Sequence, residues 1–288
     1  MTDQQESKQQ NAEHQDWRAL LRELDVTPSK ALGQNFLHDR KIVQRIARVA
    51  EIDPETDVLE IGPGLGILTN ELVAQARSVT AIELDSRLAE RLSTFFRNEA
   101  RIIEGDILQI DLASVVLPSP YIVVANLPYS IATAAIQRLL EADHPPDRMI
   151  IMVQREVAER MVARPPDMSI LAVAVQFYGR SRIAFRIGSG AFIPRPRVES
   201  AVVRIDLDQP PLPRASHAAF FRLVKAGFSQ RRKRLDNAMS SGLKAPKSVV
   251  ADALLSAGVD PARRAETLDV SEWVRVFEFA RSVLDATN

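Results

Sequence analysis

Between residues 57 and 153 the sequence repeats one order of elements: a short apolar strand, a turn and a helix. Strands are predicted over 57–61, 78–83, 101–104, 121–125 and 148–153, and helices over 67–75, 86–96 and 133–142. This alternation is typical of an α/β protein with a doubly wound parallel sheet. Ligands bind such sheets beyond the carboxyl ends of the strands, so the residues that follow each strand are the first candidates for a site.

The strand–turn–helix pattern changes after Arg204, and Gln-Pro-Pro-Leu-Pro over 209–213 indicates a linker. Helices are predicted beyond it over 216–227, 231–239, 248–257 and 271–284. Asp269 and Glu272 offer an N-cap and a first-turn acid for the last of them. We therefore predict a Rossmann-like sheet domain over 17–208 and a small C-terminal all-helical domain over 209–288.

The first 16 residues are polar, with four acids and one lysine, which fits neither a secretory signal nor a transit peptide. We predict a disordered tail over 1–16 and a cytoplasmic protein. No apolar run reaches the roughly 18 residues of a membrane span, so no membrane association is expected. The chain has no cysteine and four widely separated histidines, which excludes disulfides and thiolate sites and argues against a metal centre.

A glycine-rich turn, Gly62-Pro-Gly64-Leu-Gly66, joins the first strand of the repeat to a helix. Glycine lets the backbone approach a ligand closely, although the same turn also occurs without a ligand. Glu83 ends the next strand, 17 residues beyond Gly66. An acid at about this distance can bind both hydroxyls of a ribose, and a plain surface acid is the alternative.

The third strand is followed by Asp106, which could accept a hydrogen bond from an exocyclic amine such as that of adenine, or cap a helix from Ile107. A nicotinamide enzyme is disfavoured because the third glycine comes one residue early for G-x-G-x-x-G. No histidine or lysine constellation for hydride transfer accompanies it.

The fourth strand is followed by Asn126-Leu127-Pro128-Tyr129, the most specific of these motifs. Pro128 fixes its own φ and holds Leu127 extended. The Asn126 side-chain oxygen and a backbone carbonyl can then point at one place, beside the flat face of Tyr129. Two acceptors and an aromatic ring suit a planar amine such as adenine N6, whereas an Asx-Pro turn with a core tyrosine is the structural alternative.

Charge is unevenly distributed in a chain whose formal net charge is zero. Residues 178–234 hold thirteen basic and three acidic side chains, a net charge of +10, so the rest of the chain carries −10. Such asymmetry favours a polyanionic partner, although a solvated surface without a partner gives the same pattern.

From Lys30 to about Trp273 the chain resembles the KsgA family of ribosomal RNA adenine N6,N6-dimethyltransferases. The motifs described above carry the resemblance together with further matching strings. Those strings are Leu32-Gly-Gln-Asn-Phe-Leu37, Val153-Gln-Arg-Glu-Val157, Ala191-Phe-Ile-Pro194, Ser200-Ala-Val-Val-Arg204, Phe228-Ser-Gln-Arg-Arg-Lys233 and Arg264-Ala-Glu-Thr-Leu268. One departure is the short stretch 165–170, where the family usually has a glycine-rich segment ending in Tyr-Gly.

The resemblance implies S-adenosylmethionine as the methyl donor and a class I methyltransferase sheet. The donor-binding positions it implies are Gln34, Asn35, Leu37, Gly62, Gly64, Gly66, Glu83, Leu84, Asp106, Ile107 and Asn126. The catalytic positions it implies are Asn126, Leu127, Pro128, Tyr129 and Phe192, with Tyr129 and Phe192 sandwiching the flipped target base.

The implied target is a pair of adjacent adenosines in the loop of the helix near the 3′ end of small-subunit ribosomal RNA, with a role in late subunit assembly. The partner would be the small ribosomal subunit, and nothing requires more than a monomer. The basic segment would then hold RNA phosphates. Its candidates are Arg195, Arg197, Arg222, Lys225, Arg231, Arg232, Lys233 and Arg234.

Two other functions stay open from the sequence. One is a large-subunit adenine methyltransferase of the antibiotic-resistance type, which usually has Ile in place of Leu127 and lacks the 228–233 string. The other is a non-catalytic ribosome-assembly or transcription factor. The intact set of Glu83, Asp106 and Asn126 to Tyr129 argues against it.

Overall fold

A computed structural model describes residues 34–115 and 120–280, together with Leu21 and Pro28. The predicted tail over 1–16 lies outside the described residues, as do the last residues of the helix predicted over 271–284. The strands are Phe36–Leu37 (β1), Asp57–Ile61 (β2), Ser78–Glu83 (β3), Arg101–Glu104 (β4), Tyr121–Asn126 (β5), Arg148–Gln154 (β6), Gly179–Ile187 (β7), Phe192–Ile193 (β8) and Ser200–Leu207 (β9).

Helices follow most of these strands. They are Arg40–Ala50 (α1), Ile67–Val73 (α2), Ser86–Phe95 (α3), Ala132–Leu140 (α4), Arg155–Met161 (α5), Ile170–Tyr178 (α6), His217–Phe228 (α7), Leu235–Leu243 (α8), Lys247–Ser256 (α9) and Val270–Phe279 (α10). The predicted cap of α10 is confirmed, because Asp269 and Glu272 form a reciprocal capping box.

The main sheet has seven strands in the order β4-β3-β2-β5-β6-β9-β7. The five predicted strands form its parallel part, which confirms the doubly wound prediction. Strands β9 and β7 were not predicted, and both pair antiparallel. A two-stranded ladder of β1 and β8, in which Phe36 pairs with Ile193 and Leu37 with Phe192, lies apart from this sheet.

The sheet is covered on both faces, and the strands alternate between two apolar clusters. Along β2, Leu59 and Ile61 belong to one cluster and Val58 to the other. The first cluster also contains the buried faces of α4, α6 and the C-terminal helices. The second contains the buried faces of α1 and α2. Burial on both faces explains why the parallel strands read as continuous apolar runs.

The C-terminal helices pack onto the first cluster through aromatic rings. Phe177, at the end of α6, stacks on Phe220 of α7 with a centroid distance of 4.6 Å. Phe220 in turn contacts Phe277 of α10 at 5.9 Å. The helical part is therefore joined to the sheet by a continuous apolar core.

The helix predicted over 231–239 begins later than expected, at Leu235. Arg234 is its N-cap, with an extended backbone (φ −60°, ψ 150°). The Leu235 N–H donates to the Arg263 carbonyl at 2.7 Å, a partner distant in sequence. Residues 231–233 therefore form a turn before the helix, and the helical prediction for them is wrong.

Candidate functional site

Four neighbouring strands end side by side and build one cleft. Because the sheet order begins β4-β3-β2-β5, the residues after these strands meet at a single edge. The cleft has an empty volume of about 740 Å³, including space open to solvent. It is lined by Gln34, Asn35, Phe36, Ile61, Gly62, Gly64, Ile82, Glu83, Leu84, Gly105, Asp106, Ile107, Asn126, Leu127, Pro128, Tyr129 and Ile131.

The glycine-rich turn between β2 and α2 forms one wall. Gly62 and Gly64 both adopt positive φ, 71° and 57°, which favours glycine. A Cβ at Gly62 would stand 2.9 Å from the Asn126 backbone oxygen, and one at Gly64 would stand 2.9 Å from the Phe36 ring. The turn therefore packs tightly between Asn126 and Phe36, and any side chain at Gly62 would come too close to the Asn126 backbone.

Glu83, at the end of β3, is tied to the glycine-rich turn. Its Oε2 accepts from the Gly64 N–H at 3.0 Å and its Oε1 accepts from the Asp85 N–H at 2.9 Å. The carboxyl group is buried but lines the cleft. Burial raises its pKa, while the two backbone N–H donors lower it. Each oxygen has a second lone pair, so the group can still accept from hydroxyls of a ligand.

Asp106 follows β4 and faces the cleft beside Ile107. Its Oδ1 accepts from the Leu108 N–H at 2.9 Å, and its Oδ2 accepts from the Gln109 side-chain amide at 3.2 Å. The cap alternative raised from the sequence is thus present in part. It does not exclude the binding role, because a carboxylate has about four lone-pair positions.

Asn126 ends β5 and is oriented by a residue from the N-terminal segment. Its side-chain amide donates to the Asn35 carbonyl at 3.3 Å. Behind it, the Pro128 carbonyl accepts from the Ile131 N–H at 3.1 Å. Of the two main-chain acceptors considered from the sequence, the Leu127 carbonyl is therefore the more available one.

Tyr129 also lines the cleft, and its hydroxyl forms a 2.8 Å hydrogen bond with the Ser200 hydroxyl of β9. Burial raises the pKa of the Tyr129 hydroxyl. Phe192, the predicted second ring, is not among the lining residues. It is buried in β8, 3% exposed, within the second cluster. The structure thus brings Tyr129 to the cleft and does not assemble the predicted pair of rings.

Two other predicted residues lie next to the cleft without lining it. Leu37 is buried in the second cluster. Gly66 is the N-cap of α2, and a Cβ there would meet Leu92 and Phe96 of the neighbouring helix. Conversely, sequence reasoning missed several lining residues that are apolar or glycine. These are Phe36, Ile61, Ile82, Gly105 and Ile131.

The predicted RNA-contacting residues lie outside this cleft. Arg195 and Arg197 are exposed after β8, and Arg232 and Lys233 are exposed in the turn before α8. Arg222 and Lys225 of α7 line a separate groove with Gln137 of α4 and Glu141, the C-cap residue of that helix. Two members already have acidic partners: Arg231 pairs with Glu266 at 3.4 Å and Arg234 with Asp236 at 3.0 Å. These two are therefore less available to phosphates.

A buried carboxyl group that the sequence analysis did not single out lies behind the glycine-rich turn. Glu60, in β2, is 1% exposed, and neither of its oxygens has a hydrogen-bond partner in the described part of the chain. Burial raises its pKa to about 8; the neighbouring Thr69 hydroxyl lowers it and the Glu83 carboxyl raises it. Glu60 is therefore protonated at neutral pH.

The comparisons with known proteins agree with one another. The sequence profile of the family described as ribosomal RNA adenine dimethylase matches residues 27–282. The ribosomal RNA small subunit methyltransferase A of Dehalococcoides mccartyi is 44% identical over 248 residues, covering 85% of each chain. The enzyme of the same name from Moorella thermoacetica is 42% identical over 273 residues, covering 90% of this chain and 94% of the relative.

Solved structures show the same fold. The 23S rRNA methyltransferase ErmE is 30% identical, with a TM-score of 0.68, and the match covers 85% of this chain and 99% of that one. A dimethyladenosine transferase from Plasmodium falciparum has a TM-score of 0.75 at 24% identity and covers 86% of this chain and 98% of that one. The predicted class I methyltransferase sheet with a helical C-terminal part is confirmed.

Proposed function

The chain belongs to the ribosomal RNA adenine dimethylase family, and from this membership we propose that it dimethylates N6 of two adjacent adenosines near the 3′ end of small-subunit ribosomal RNA. One observation on this chain's own residues supports the proposal. The four strand ends place the glycine-rich turn, Glu83, Asp106 and the 126–129 motif around a single cleft. Identity of 42–44% to small-subunit enzymes, against 30% to a large-subunit enzyme, favours the small subunit.

The cleft fits S-adenosylmethionine as the methyl donor. In this proposal Glu83 would accept from the ribose hydroxyls and Asp106 from the adenine amine, and Ile107 and Leu84, which also line the cleft, would contact the adenine ring. The turn carries no side chain at Gly62, which lines the cleft, and we assign the methionine portion to this part of it. When bound, the donor supplies an electrophilic methyl group on its sulfonium. We further assign Gln34, Asn35, Leu37, Gly64 and Gly66 to holding or shaping this site.

The target amine is a poor nucleophile, because its lone pair is delocalised into the adenine ring. The Asn126 side-chain oxygen and the Leu127 carbonyl would accept from N6–H, which favours a more pyramidal nitrogen with its lone pair directed at the methyl group. Pro128 keeps Leu127 extended so that both acceptors face one point. These acceptors act by positioning and by matching the positive charge that develops on nitrogen.

No strong base is needed for this chemistry. The methylated amine becomes acidic and releases its proton after the transfer. The first transfer breaks the sulfur–methyl bond and leaves a thioether product. One hydrogen remains on N6, so a second transfer follows if that product is exchanged for a second donor molecule and the pocket accepts a monomethylated amine. Tyr129 offers a face for the flipped base, whose unstacking costs a few kcal/mol and least in an unpaired loop. Phe192 would stack on the other face of the flipped base only if its ring moved out of the apolar core.

The substrate RNA would be held by exposed basic residues of the C-terminal half. Phosphate contacts of this kind position RNA and weaken steeply with salt. We propose that the basic residues named from the sequence make these contacts, with Arg231 and Arg234 contributing less because each has an acidic partner. They are Arg195, Arg197, Arg222, Lys225, Arg231, Arg232, Lys233 and Arg234. We also propose that residues 209–288 act as the RNA-binding domain and residues 17–208 as the methyltransferase domain.

The decisive experiment is transfer of a tritiated methyl group from the donor to undermethylated ribosomal subunits. We expect label on small subunits, and mass spectrometry of the product nucleosides should show N6,N6-dimethyladenosine. Label on large subunits alone would establish the alternative function. No label on either, with Asn126→Ala as the inactive reference, would leave only a binding role.

A role in late assembly of the small subunit, in the cytoplasm and as a monomer, completes the proposal. No helix in the described residues is long and apolar enough to cross a bilayer. The molar mass of the purified chain, measured by light scattering, tests whether it is a monomer. Ribosome profiles of cells that carry only Asn126→Ala, compared with cells that lack the protein, separate an assembly role from methylation itself.

A further inference from the structure

Helix α1 (Arg40–Ala50) carries four basic side chains and no acidic one. Its buried face consists of Val43, Ile46, Ala47 and Ala50. Lys41, Arg45 and Arg48 are all exposed, and their spacing of four and three residues places them on one face of the helix. At 1.5 Å per residue this row, from Lys41 to Arg48, is about 10 Å long. We call it the α1 basic row.

The acids near the row do not neutralise it. Asp39 is the N-cap, and its Oδ1 accepts from the Lys41 and Ile42 N–H groups. Glu51, directly after the helix, is bound by Arg204 (Nη1 to Oε1, 2.5 Å) and by Arg148 (3.0 Å). Arg204 also donates to the Val49 carbonyl at 3.1 Å and Arg148 to the Ala50 carbonyl at 2.8 Å, so both arginines hold Glu51 against the end of α1.

The second acid at this end of the helix is committed in the same way. Asp206 of β9 accepts from Arg204 at 2.9 Å and from Arg148 at 2.9 Å. Two arginines and two acids thus form a balanced cluster under the end of α1. The pKa values of Glu51 and Asp206 are both lowered, Glu51 chiefly by its hydrogen bond to Arg204 and Asp206 by Arg204 and Arg148 against the effect of burial. Neither acid forms an ion pair with Lys41, Arg45 or Arg48 among the described residues.

Strand β7 extends the row across the surface. Arg182 lies directly opposite Arg204 in the antiparallel pair, so both side chains project from the same face of the sheet, the face that α1 covers. Arg45 bridges helix and strand, because its guanidinium lies 4.0 Å from the centroid of the Phe185 ring. Lys41, Arg48 and Arg182 have no ion pair with any residue that the structure describes.

The position of the row relates it to the methyltransferase cleft. Asn35 and Phe36 line the cleft, and α1 begins only four residues after Phe36. The helix packs in the second apolar cluster, on the face of the sheet opposite the C-terminal helices. Arg148, at the start of β6, binds Glu51 after the end of α1, so the helix runs from the cleft edge of the sheet toward the opposite edge, on the face opposite Arg222 and Lys225.

We propose that the α1 basic row, with Arg182, is a second RNA-binding surface that holds the phosphate backbone of the small-subunit RNA on the face opposite the helical domain. Unpaired cations spaced along one helix face suit a linear polyanion, and they supply affinity and register without reading sequence. RNA that contacts basic residues on both faces of the sheet would bind over the cleft with higher affinity than RNA held by the C-terminal residues alone. The proposal rests on the ribosomal RNA substrate proposed above.

The test compares two double variants that remove equal charge. The first is Lys41→Gln with Arg48→Gln, and the control is Arg97→Gln with Arg101→Gln at the opposite edge of the sheet, where both residues are also exposed. Binding to undermethylated small subunits is measured across a series of salt concentrations. Donor affinity and kcat at saturating particles are measured for the same proteins.

We expect the first variant to bind particles about 10-fold more weakly, with the slope of log K against log salt reduced by about 2, one unit for each lost phosphate contact. Its donor affinity and kcat should stay at the wild-type values, as should every property of the control. Equal affinity and equal slope for the two variants would overturn the proposal. A wild-type chain that bound neither subunit would instead overturn the proposed function.

Discussion

The side-chain amide of Asn126 donates to the main-chain carbonyl of Asn35 across 3.3 Å. A carbonyl oxygen can only accept, so this contact fixes which end of the Asn126 amide points at it. The side-chain oxygen is thereby turned away from Asn35 and remains available as an acceptor beside the Leu127 carbonyl. A residue of the N-terminal segment therefore sets the geometry of the motif that would grip the target amine.

Replacing Asn126 by Asp should abolish methyl transfer as completely as Asn126→Ala does. An aspartate cannot donate to the Asn35 carbonyl and would be repelled by it, so the acceptor geometry is lost although an oxygen remains. We expect kcat to fall by at least about 100-fold in both variants, the scale of removing one placed polar group at a reacting centre. Single-turnover transfer to small subunits measures this. An aspartate variant with nearly full activity would contradict the assigned orientation.

Glu83→Gln should weaken donor binding by at least about 10-fold. Both carboxylate oxygens accept backbone N–H groups, so the amide of a glutamine would direct its own donors at Gly64 or Asp85. Calorimetric titration with S-adenosylmethionine measures the loss. Glu104→Gln is the matched control, because Glu104 lies beside Glu83 in the parallel register but is exposed and does not line the cleft. Equal effects of the two changes would remove Glu83 from the donor site.

The polar part of this cleft could be predicted from the sequence because it depends on position and chemistry together. Glu83, Asp106 and Asn126 each follow an apolar strand, and parallel strands end at one edge. Phe36 and Ile131 carry no such signature, since an apolar residue beside a ligand looks like one in the core. Phe192 is the opposite case: the family resemblance implies a role for it, but its ring is buried in the structure and does not line the cleft.

The parts of the fold that could not be predicted from the sequence depend on pairing between residues distant along the chain. The two antiparallel strands β7 and β9 follow no strand–turn–helix repeat, and the arginines of β7 were interpreted as a charge cluster. The turn over 231–233 was predicted as helix, since only the distant Arg263 carbonyl decides where α8 begins. The basic face of α1 is not visible as a continuous charged segment, because only the helical spacing brings Lys41, Arg45 and Arg48 together.

Gly62→Ala should damage the fold of the donor site more than Gly64→Ala does. Both positions have positive φ, which costs about 1–2 kcal/mol for a residue with a Cβ. At Gly62 the added Cβ also meets a backbone oxygen 2.9 Å away, whereas at Gly64 it meets the Phe36 side chain, which can turn. We expect Gly62→Ala to lower the free energy of unfolding by about 2 kcal/mol or more.

Denaturant unfolding of each glycine variant, followed by donor titration, measures the difference. Gly188→Ala is the control, since φ there is −67° and a Cβ would find no atom within 4 Å. We expect that variant to stay within about 0.5 kcal/mol of wild type. If Gly62→Ala and Gly188→Ala were equally stable and bound the donor equally, the proposed close packing of Gly62 against the Asn126 backbone would be refuted.

Tyr129→Phe and Tyr129→Ala should separate the hydroxyl from the ring. The phenylalanine variant loses only the 2.8 Å hydrogen bond to Ser200, worth about 1 kcal/mol, so KM for the particle should change by no more than a few-fold. The alanine variant loses a stacking face worth about 1–3 kcal/mol, so KM should rise by about 10- to 100-fold. Ser200→Ala should match the phenylalanine variant. A strong defect in Tyr129→Phe would instead make the hydroxyl the important group.

The buried Glu60 carboxyl should give stability a distinct pH dependence. Its pKa is about 8 in the folded chain, raised by burial above its ordinary value near 4.5. Between these values the folded state holds a proton that the unfolded state has released. Its contribution is therefore complete below about pH 4.5 and is lost as the pH rises toward 8.

Glu60→Gln keeps the shape of the protonated acid and removes its titration. The free energy of unfolding of wild type minus that of the variant should therefore decrease between about pH 4.5 and 8, by an amount on the order of a few kcal/mol, and level off above that. Glu83, whose pKa burial also raises, is present in both proteins, and its own titration cancels in the difference while Glu60 is uncharged. Denaturant unfolding of the two proteins across this range measures it. A difference that stayed flat with pH would show that Glu60 is not protonated in the folded chain.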